Sequence, residues 1–134
     1  MAGAKNASEK TRWPFWKAID SLVQESEIVI DRPKGSYHPR YPEIVYPVDY
    51  GYLKNTSSMD GGGIDIWRGT GVPGQVDAII CTVDLYKKDS EIKILIGCNS
   101  AEKKLIMDFH NRGLMKGLLT TDREIKYFLY LFSV

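Results

Sequence analysis

Tyrosines and carboxylates are concentrated in the stretch from Tyr46 to Asp65. Tyr46, Tyr50 and Tyr52 lie on one short segment, and Asp60 and Asp65 follow it, separated by residues that include three glycines. Glycine lacks Cβ, so backbone and ligand can approach closely there. Such a turn can direct two carboxylates to one Mg²⁺, which takes one or two protein carboxylates and completes its shell with water and phosphate oxygens. A solvated turn is the alternative interpretation, because aspartate and glycine are common turn residues.

A basic cluster precedes this stretch, in a loop that its prolines hold extended. It consists of Arg32, Lys34, His38 and Arg40. The chain as a whole is nearly neutral, with 18 basic and 17 acidic residues. The cluster is therefore a local feature, and both a solvated loop and an anion-facing loop are consistent with it.

A second set of charged residues lies at the head of an apolar strand. Side chains alternate between the two faces of a strand, so Asp89, Glu91 and Lys93 are expected to share one face. The isoleucines between and beyond them, at positions 92, 94 and 96, are expected to enter the core. Taken alone, this charged face is typical of a solvated surface.

The remaining pattern predicts one mainly β domain with α-helices at residues 11–134, preceded by a polar tail at residues 1–10. Helices are predicted after Thr11, as the cap, and from Asn99 or Ser100 to about Gly113. Strands are predicted at 27–31, 44–46, 50–53, 64–67, 76–86 and 91–97. Residues 115–134 end in a very apolar run, for which a buried strand, a short helix and a partner surface all stay open.

Composition excludes several classes of function. The net charge of +1 predicts no large field for nucleic acid or an anionic membrane. Cys81 and Cys98 have no zinc spacing, which favours buried free thiols in a reducing compartment. The chain has no apolar stretch of membrane-spanning length and no secretory signal pattern at its N-terminus. We therefore expect a cytoplasmic protein that binds neither membrane nor nucleic acid.

Three motifs together resemble the soluble family I inorganic pyrophosphatases. They are Tyr46-Pro-x-Asp-Tyr-Gly-Tyr52, Asp60-Gly-x-x-Ile-Asp65 and Glu91-x-Lys93. The family pattern is Tyr-Pro-x-Asn-Tyr-Gly-Tyr, then Asp-Gly-Asp-Pro-x-Asp, then Asp-x-Lys, in the same order. The resemblance covers roughly residues 28–109 and identifies the chain as a divergent, shortened member. It implies a small closed OB-like β-barrel with flanking helices, and Mg²⁺-dependent hydrolysis of pyrophosphate to two phosphates.

The resemblance also implies roles for individual residues. The metal ligands would be Asp60, Asp65, Glu91 and Asp31, with Asp65, Asp60 and Tyr50 counted as catalytic. Substrate phosphate would be bound by Arg40, Lys93, Tyr50 and Lys34. Lys34 or His38 would replace the phosphate-binding arginine of a hairpin that is missing here. The partners implied are pyrophosphate or a related phosphoanhydride and further copies of the chain, with residues 128–134 as a candidate contact surface.

One departure from the family pattern affects the chemistry directly. The middle aspartate of the second motif, thought to accept a proton from the attacking water, is Gly62 here, and the proline after it is Gly63. Losing a general base costs about a hundred to ten thousand fold in rate. Asp89 and Asp49 are the nearest replacements in sequence, and the pattern does not choose between them.

Two alternatives to a hydrolase stay open. The first is a non-catalytic or weakly active relative that binds a phosphorylated ligand or a partner, which Gly62 favours. The second is a binder of single-stranded nucleic acid that uses Tyr46, Tyr50, Tyr52 and Trp67 as stacking platforms. The neutral charge argues against the second.

Overall fold

The computed structural model of the protein describes residues 7–121. The first six residues of the predicted tail and the apolar run from residue 124 to the end lie outside this range, and with them the predicted contact surface at 128–134. Within it, the helices are α1 (Ala7–Lys10), α2 (Phe15–Gln24) and α3 (Ser100–Phe109). The strands are β1 (Ile28–Arg32), β2 (Asp49–Leu53), β3 (Ile64–Arg68), β4 (Val76–Asp84), β5 (Asp89–Ile96) and β6 (Met115–Thr120).

The six strands form one mixed sheet in the order β1-β2-β3-β5-β4-β6. Every pairing is antiparallel except that of β3 with β5, which is parallel. This arrangement confirms a small, mainly β, OB-like fold with flanking helices, a class whose barrels are often only partly closed. Over the described residues the sheet is not closed. β4 pairs with β5 along one edge and with β6 along the other, so no ladder joins β1 to β4.

Both faces of the sheet are buried, because successive strand residues enter two different cores. On one side, Trp16 and Ile19 of α2 pack against a cluster that includes Ile66. On the other side, Trp67 packs in a cluster with Ile106 of α3 and with Tyr46 from the loop between β1 and β2. Asp65, Glu91 and Lys93 point to this second side, since they alternate along their strands with residues that point to the first.

The start of α2 differs from the prediction, whereas the start of α3 agrees with it. Helix α2 has Pro14 at its N-cap without a side-chain cap, and Thr11 instead donates to the Ser8 carbonyl oxygen. Helix α3 carries a complete capping box, because Asn99 accepts from the Glu102 amide and the Glu102 carboxylate accepts from the Asn99 amide. Of the two starts that the sequence allowed, the structure therefore selects the cap at Asn99, and the helix ends at Phe109, before the predicted Gly113.

Candidate functional site

Strand register brings residues from three separate motifs onto one face of the sheet. Tyr50 of β2 lies opposite Trp67 of β3, and Tyr52 lies opposite Asp65. The parallel pairing of β3 with β5 then places β5 beside Asp65. Lys93 and Glu91 project from β5 on the same side.

Lys93 is the centre of this site. Its Nζ donates to Tyr50 Oη, Asp65 Oδ2 and Glu91 Oε2, each at 2.9 Å. An ammonium group has three N–H donors, so these contacts use all of them. We call Lys93, Tyr50, Asp65 and Glu91 the Lys93 cluster. The lysine side chain is only 8% exposed, against 29% for Asp65 and 18% for Glu91. The carboxylates therefore lie nearer to solvent than the cation that they share.

Electrostatics keep the lysine charged and the tyrosine neutral. Burial disfavours the ammonium ion, but Tyr50 and Asp65 together outweigh it and raise the pKa of Lys93. Burial raises the pKa of Tyr50, and Asp65 adds to this effect while Lys93 opposes it. The site thus combines a charged lysine and a neutral phenol, and the lysine bridges the side chains of Asp65 and Glu91.

Asp60 stands beside the Lys93 cluster on the exposed turn before β3. Its Oδ1 accepts hydrogen bonds from Ser58 Oγ at 2.6 Å and from the Gly62 amide at 2.9 Å. These bonds lower the pKa of Asp60, and smaller contributions from Glu91 and Lys93 lower it further. Asp60 is therefore ionised and close to Glu91.

Tyr46, Tyr50 and Trp67 pack together beneath the charged groups of the cluster, and we call these three rings the aromatic floor. The Tyr50 ring stands edge-on to Trp67 at a centroid distance of 4.7 Å, and Tyr46 is 5.3 Å from Tyr50. Trp67 is fully buried and Tyr46 is nearly so. These two rings pack against protein on both sides, so they cannot serve as stacking platforms for bases.

His110 anchors this floor from below. Trp67 Nε1 donates to His110 Nε2 at 3.0 Å, and His110 Nδ1 lies 3.4 Å from Met115 Sδ. Burial lowers the pKa of His110 to about 3, with Lys93 and Arg112 contributing. The imidazole is therefore neutral, which leaves Nε2 free to accept from the indole. The sequence assigned no role to His110, because no local pattern links it to Trp67, 43 residues away.

This buried histidine predicts a loss of stability in acid. Between about pH 6.5 and pH 3 the unfolded chain binds a proton at His110 that the folded protein does not, so stability falls as the pH falls. We expect His110 to cost about 2 to 3 kcal/mol of the free energy of unfolding between pH 7 and pH 4.5. Urea unfolding at both pH values, on wild type and His110→Gln, measures this; the glutamine can still accept from Trp67.

The half-buried His38 provides the comparison for that experiment. His38 is the second of the two histidines in the chain, and its pKa is also lowered, chiefly by burial. Because His38 is only half-buried whereas His110 is almost fully buried, His38→Gln should remove less of the wild-type dependence on pH than His110→Gln. An equal difference between wild type and His110→Gln at the two pH values would contradict the assignment.

Within residues 7–121, the described contacts of three other predicted site residues do not include members of the Lys93 cluster. Asp31 is exposed at the bulge where β1 shifts register against β2. The Lys34 amide donates to Asp49 Oδ1, and the Arg40 amide donates to His38 Nδ1, both on the exposed loop. The membership of Asp31, Lys34 and Arg40 in the site stays a prediction.

Arg32 connects this loop to the aromatic floor. Its guanidinium donates to the Tyr46 hydroxyl and lies 5.4 Å from the centroid of the Tyr46 ring. It also lowers the pKa of His38, behind the effect of burial and together with Lys87 and Arg40. Arg32 therefore places a cation beside Tyr46, whose ring lies next to Tyr50 of the Lys93 cluster. The sequence placed Arg32 in the basic cluster, but it predicted no individual role for this residue.

Asp65 and Glu91 are suited to hold a divalent cation together with a bound ligand, but they do not form a complete metal site by themselves. Asp65 and Glu91 supply the oxygen donors that Mg²⁺ prefers, and two carboxylates are the number it commonly takes from a protein. Within residues 7–121, however, no three His, Cys, Asp or Glu side chains group closely enough to hold a metal. The gap between Asp65 and Glu91 is filled by the Lys93 ammonium.

Other features of the described chain are structural. Cys81 and Cys98 are free thiols, as predicted, but only Cys98 is buried, whereas Cys81 is half-buried. Burial raises the pKa of Cys98 to about 12. Across residues 7–121, no helix combines the length and apolar character needed to cross a membrane.

Comparison with known proteins gives similarity at the level of structure alone. No family model and no curated protein matches the chain. It is similar to an inorganic phosphatase from Anaplasma phagocytophilum, with 16% identity, a TM-score of 0.48 and coverage of 70% of this chain and 81% of that one. It is also similar to an inorganic pyrophosphatase from Helicobacter pylori, with 14% identity, a TM-score of 0.47 and coverage of 70% of this chain and 81% of that one. An inorganic pyrophosphatase from Neisseria gonorrhoeae is similar with 15% identity, a TM-score of 0.45 and coverage of 78% of this chain and 84% of that one. Similarity at this level establishes neither family nor activity.

Proposed function

We propose that the protein hydrolyses pyrophosphate, or a related phosphoanhydride, to phosphate with the aid of Mg²⁺. The observation that carries the proposal is the meeting of three motifs at the Lys93 cluster. Tyr50, Asp65 and Glu91 come from different segments of the chain and contact one buried cation. A core has no need of two carboxylates and a lysine in contact, since burying charges is costly.

The chemistry of these groups matches a phosphoryl-transfer site. Bound Mg²⁺ would neutralise phosphate oxygens and lower the pKa of a bound water. In this proposal its ligands are Asp65 and Glu91 of the Lys93 cluster, together with Asp60 from the turn beside it. Tyr50 and Lys93 would contact the phosphate, and the positive charge of Lys93 would stabilise charge on the leaving group.

The outer residues have supporting roles in the same proposal. Arg40 and Lys34 on the exposed loop would draw in the second phosphate, and Asp31 would add negative charge near the metal. Of the two candidate bases, Asp89 is on the same face of β5 as Glu91, whereas Asp49 pairs with Arg68 at 3.6 Å and alternates with Tyr50. Strand geometry therefore favours Asp89. Assembly of several copies and a cytoplasmic location complete the proposal.

Replacing Asp65 tests the function. Wild type should release phosphate from pyrophosphate only when MgCl₂ is present, and Asp65→Asn should lower the rate by at least about a hundredfold. Even residues that only orient metal ligands cost 10- to 100-fold when changed, so a direct ligand should cost at least as much. The measurement is steady-state phosphate release with and without MgCl₂.

A matched control is available on α3. Asp108 is exposed and forms only a surface pair with Lys104 at 3.6 Å, so Asp108→Asn should keep the wild-type rate. Equal rates for Asp65→Asn and wild type would rule out a role for Asp65 in hydrolysis.

Binding without turnover is the second candidate function, and Gly62 is the observation that favours it. Position 62 offers the site no side chain, and its amide is used to hold Asp60. Calorimetry with pyrophosphate, alongside the phosphate assay, separates the two functions. Tight binding with no phosphate released at any MgCl₂ concentration would select this candidate.

A further inference from the structure

Lys93 has no N–H donor left for a ligand in this structure. All three are directed at Tyr50, Asp65 and Glu91, each at 2.9 Å. If Lys93 binds phosphate as proposed above, at least one of these contacts must break first. The state described here is therefore one in which the lysine binds the protein's own acceptors.

The same contacts restrict the two carboxylates. Asp65 Oδ2 and Glu91 Oε2 both accept from one ammonium, and that ammonium lies deeper than either of them. A divalent cation arriving from solvent would reach these oxygens from the open side and meet a positive charge directly behind them. At a separation of about 4 Å such repulsion is substantial even near a protein surface.

The backbone of Lys93 is fixed, whereas its side chain can move. Its neighbours Ile94 and Leu95 are almost fully buried in the two opposite cores, and the residue is paired with Ile80 of β4. A lysine stem of four carbons can nevertheless redirect its ammonium without moving the strand. Release from the carboxylates would leave the cation close to the site and available to a phosphate.

We propose that Lys93 is the resident counter-ion of Asp65 and Glu91, and that it must leave them before they can bind a divalent cation. Binding of the cation to the carboxylates and binding of phosphate to Lys93 are then coupled through one side chain. This inference rests on the proposed function for its phosphate ligand. It adds that the site binds metal weakly until a phosphate is present to receive the lysine.

Metal titration of Lys93 variants tests the inference without using turnover. Isothermal calorimetry with MgCl₂ alone should show binding to Lys93→Met at least about tenfold tighter than to wild type, because a competing charge is gone. Lys93→Gln, which keeps two N–H donors without the charge, should behave in the same way. Lys54→Met is the matched control: Lys54 is exposed and paired with Glu27, so its loss should not change Mg²⁺ affinity.

A second titration tests the coupling itself. A non-hydrolysable pyrophosphate analogue should tighten Mg²⁺ binding by wild type at least about tenfold, and should do so far less for Lys93→Met. Melting curves show whether the variants are folded. Mg²⁺ should also raise the melting temperature of the two Lys93 variants more than that of wild type, because they bind it more tightly.

Several results would overturn the inference. One is an unchanged or weaker Mg²⁺ affinity in folded Lys93→Met. Another is that the Lys93 variants stay unfolded at every Mg²⁺ concentration. Either result would make the lysine a structural ion-pair partner. Failure of the proposed function is read separately, from phosphate release by wild type. A wild type without turnover that still shows the predicted difference in Mg²⁺ affinity would reject hydrolysis and support the counter-ion.

Discussion

Replacing Gly62 with aspartate is expected to raise the rate of phosphate release from pyrophosphate by about a hundredfold or more. The variant supplies a carboxylate next to Asp60, where the resemblance to pyrophosphatases implies the proton acceptor for the attacking water. A positioned general base commonly contributes about a hundred to ten thousand fold. The assay is Mg²⁺-dependent phosphate release by wild type and Gly62→Asp under the same conditions.

The local structure accepts this substitution. Gly62 is exposed and is not among the glycines with positive φ, so a side chain there causes no backbone strain. A Cβ at this position would meet only the Asp60 carboxylate, with Oδ1 at 3.3 Å. That contact is with a flexible side chain, and a shift of a few tenths of an ångström relieves it.

Gly62→Asn is the control, because it has nearly the same shape but cannot accept a proton as a carboxylate does. We expect it to leave the rate close to that of wild type. An equal gain for both variants would mean that the turn, and not a base, limits the reaction. No gain for either would support the binding function over hydrolysis.

Gly51→Ala is expected to cost at least about 3 kcal/mol of the free energy of unfolding. Gly51 lies opposite Ile30 in the β1–β2 ladder, where the register shifts. A Cβ at this position would overlap the Val29 carbonyl oxygen and lie 2.8 Å from Ile30 Cα. Both are backbone atoms, so β1 and β2 would have to move apart. Against a typical stability of about 5 to 15 kcal/mol, that loss is large.

Urea unfolding, followed by tryptophan fluorescence, measures the effect. Gly62→Ala serves as the comparison, since its Cβ meets only the Asp60 side chain and should change stability by no more than about 0.5 kcal/mol. A Gly51→Ala protein within 1 kcal/mol of wild type would show that the two strands separate easily. The glycine of the Tyr-Gly-Tyr motif would then have a role other than close strand packing.

Local sequence determined much of the fold. Alternation along residues 89–96 predicted the shared face of Glu91 and Lys93, since neighbouring side chains of a strand must point to opposite faces. Runs of β-branched residues predicted β1, β3, β4 and β5 to within a few residues of their observed bounds. The three motifs also selected Tyr50, Asp65, Glu91 and Lys93, whose contacts the structure describes.

Tertiary structure decided how these residues are used. Lys93 meets Asp65 across 28 residues of sequence because β3 and β5 pair in parallel, and Trp67 meets His110 across 43 because α3 closes the second core. No local period encodes either contact, since strand order is set by packing of the whole sheet. The sequence therefore identified which residues carry charge at the site. Only the folded chain placed the lysine between the two carboxylates and engaged all three of its donors, because that depends on distances between strands.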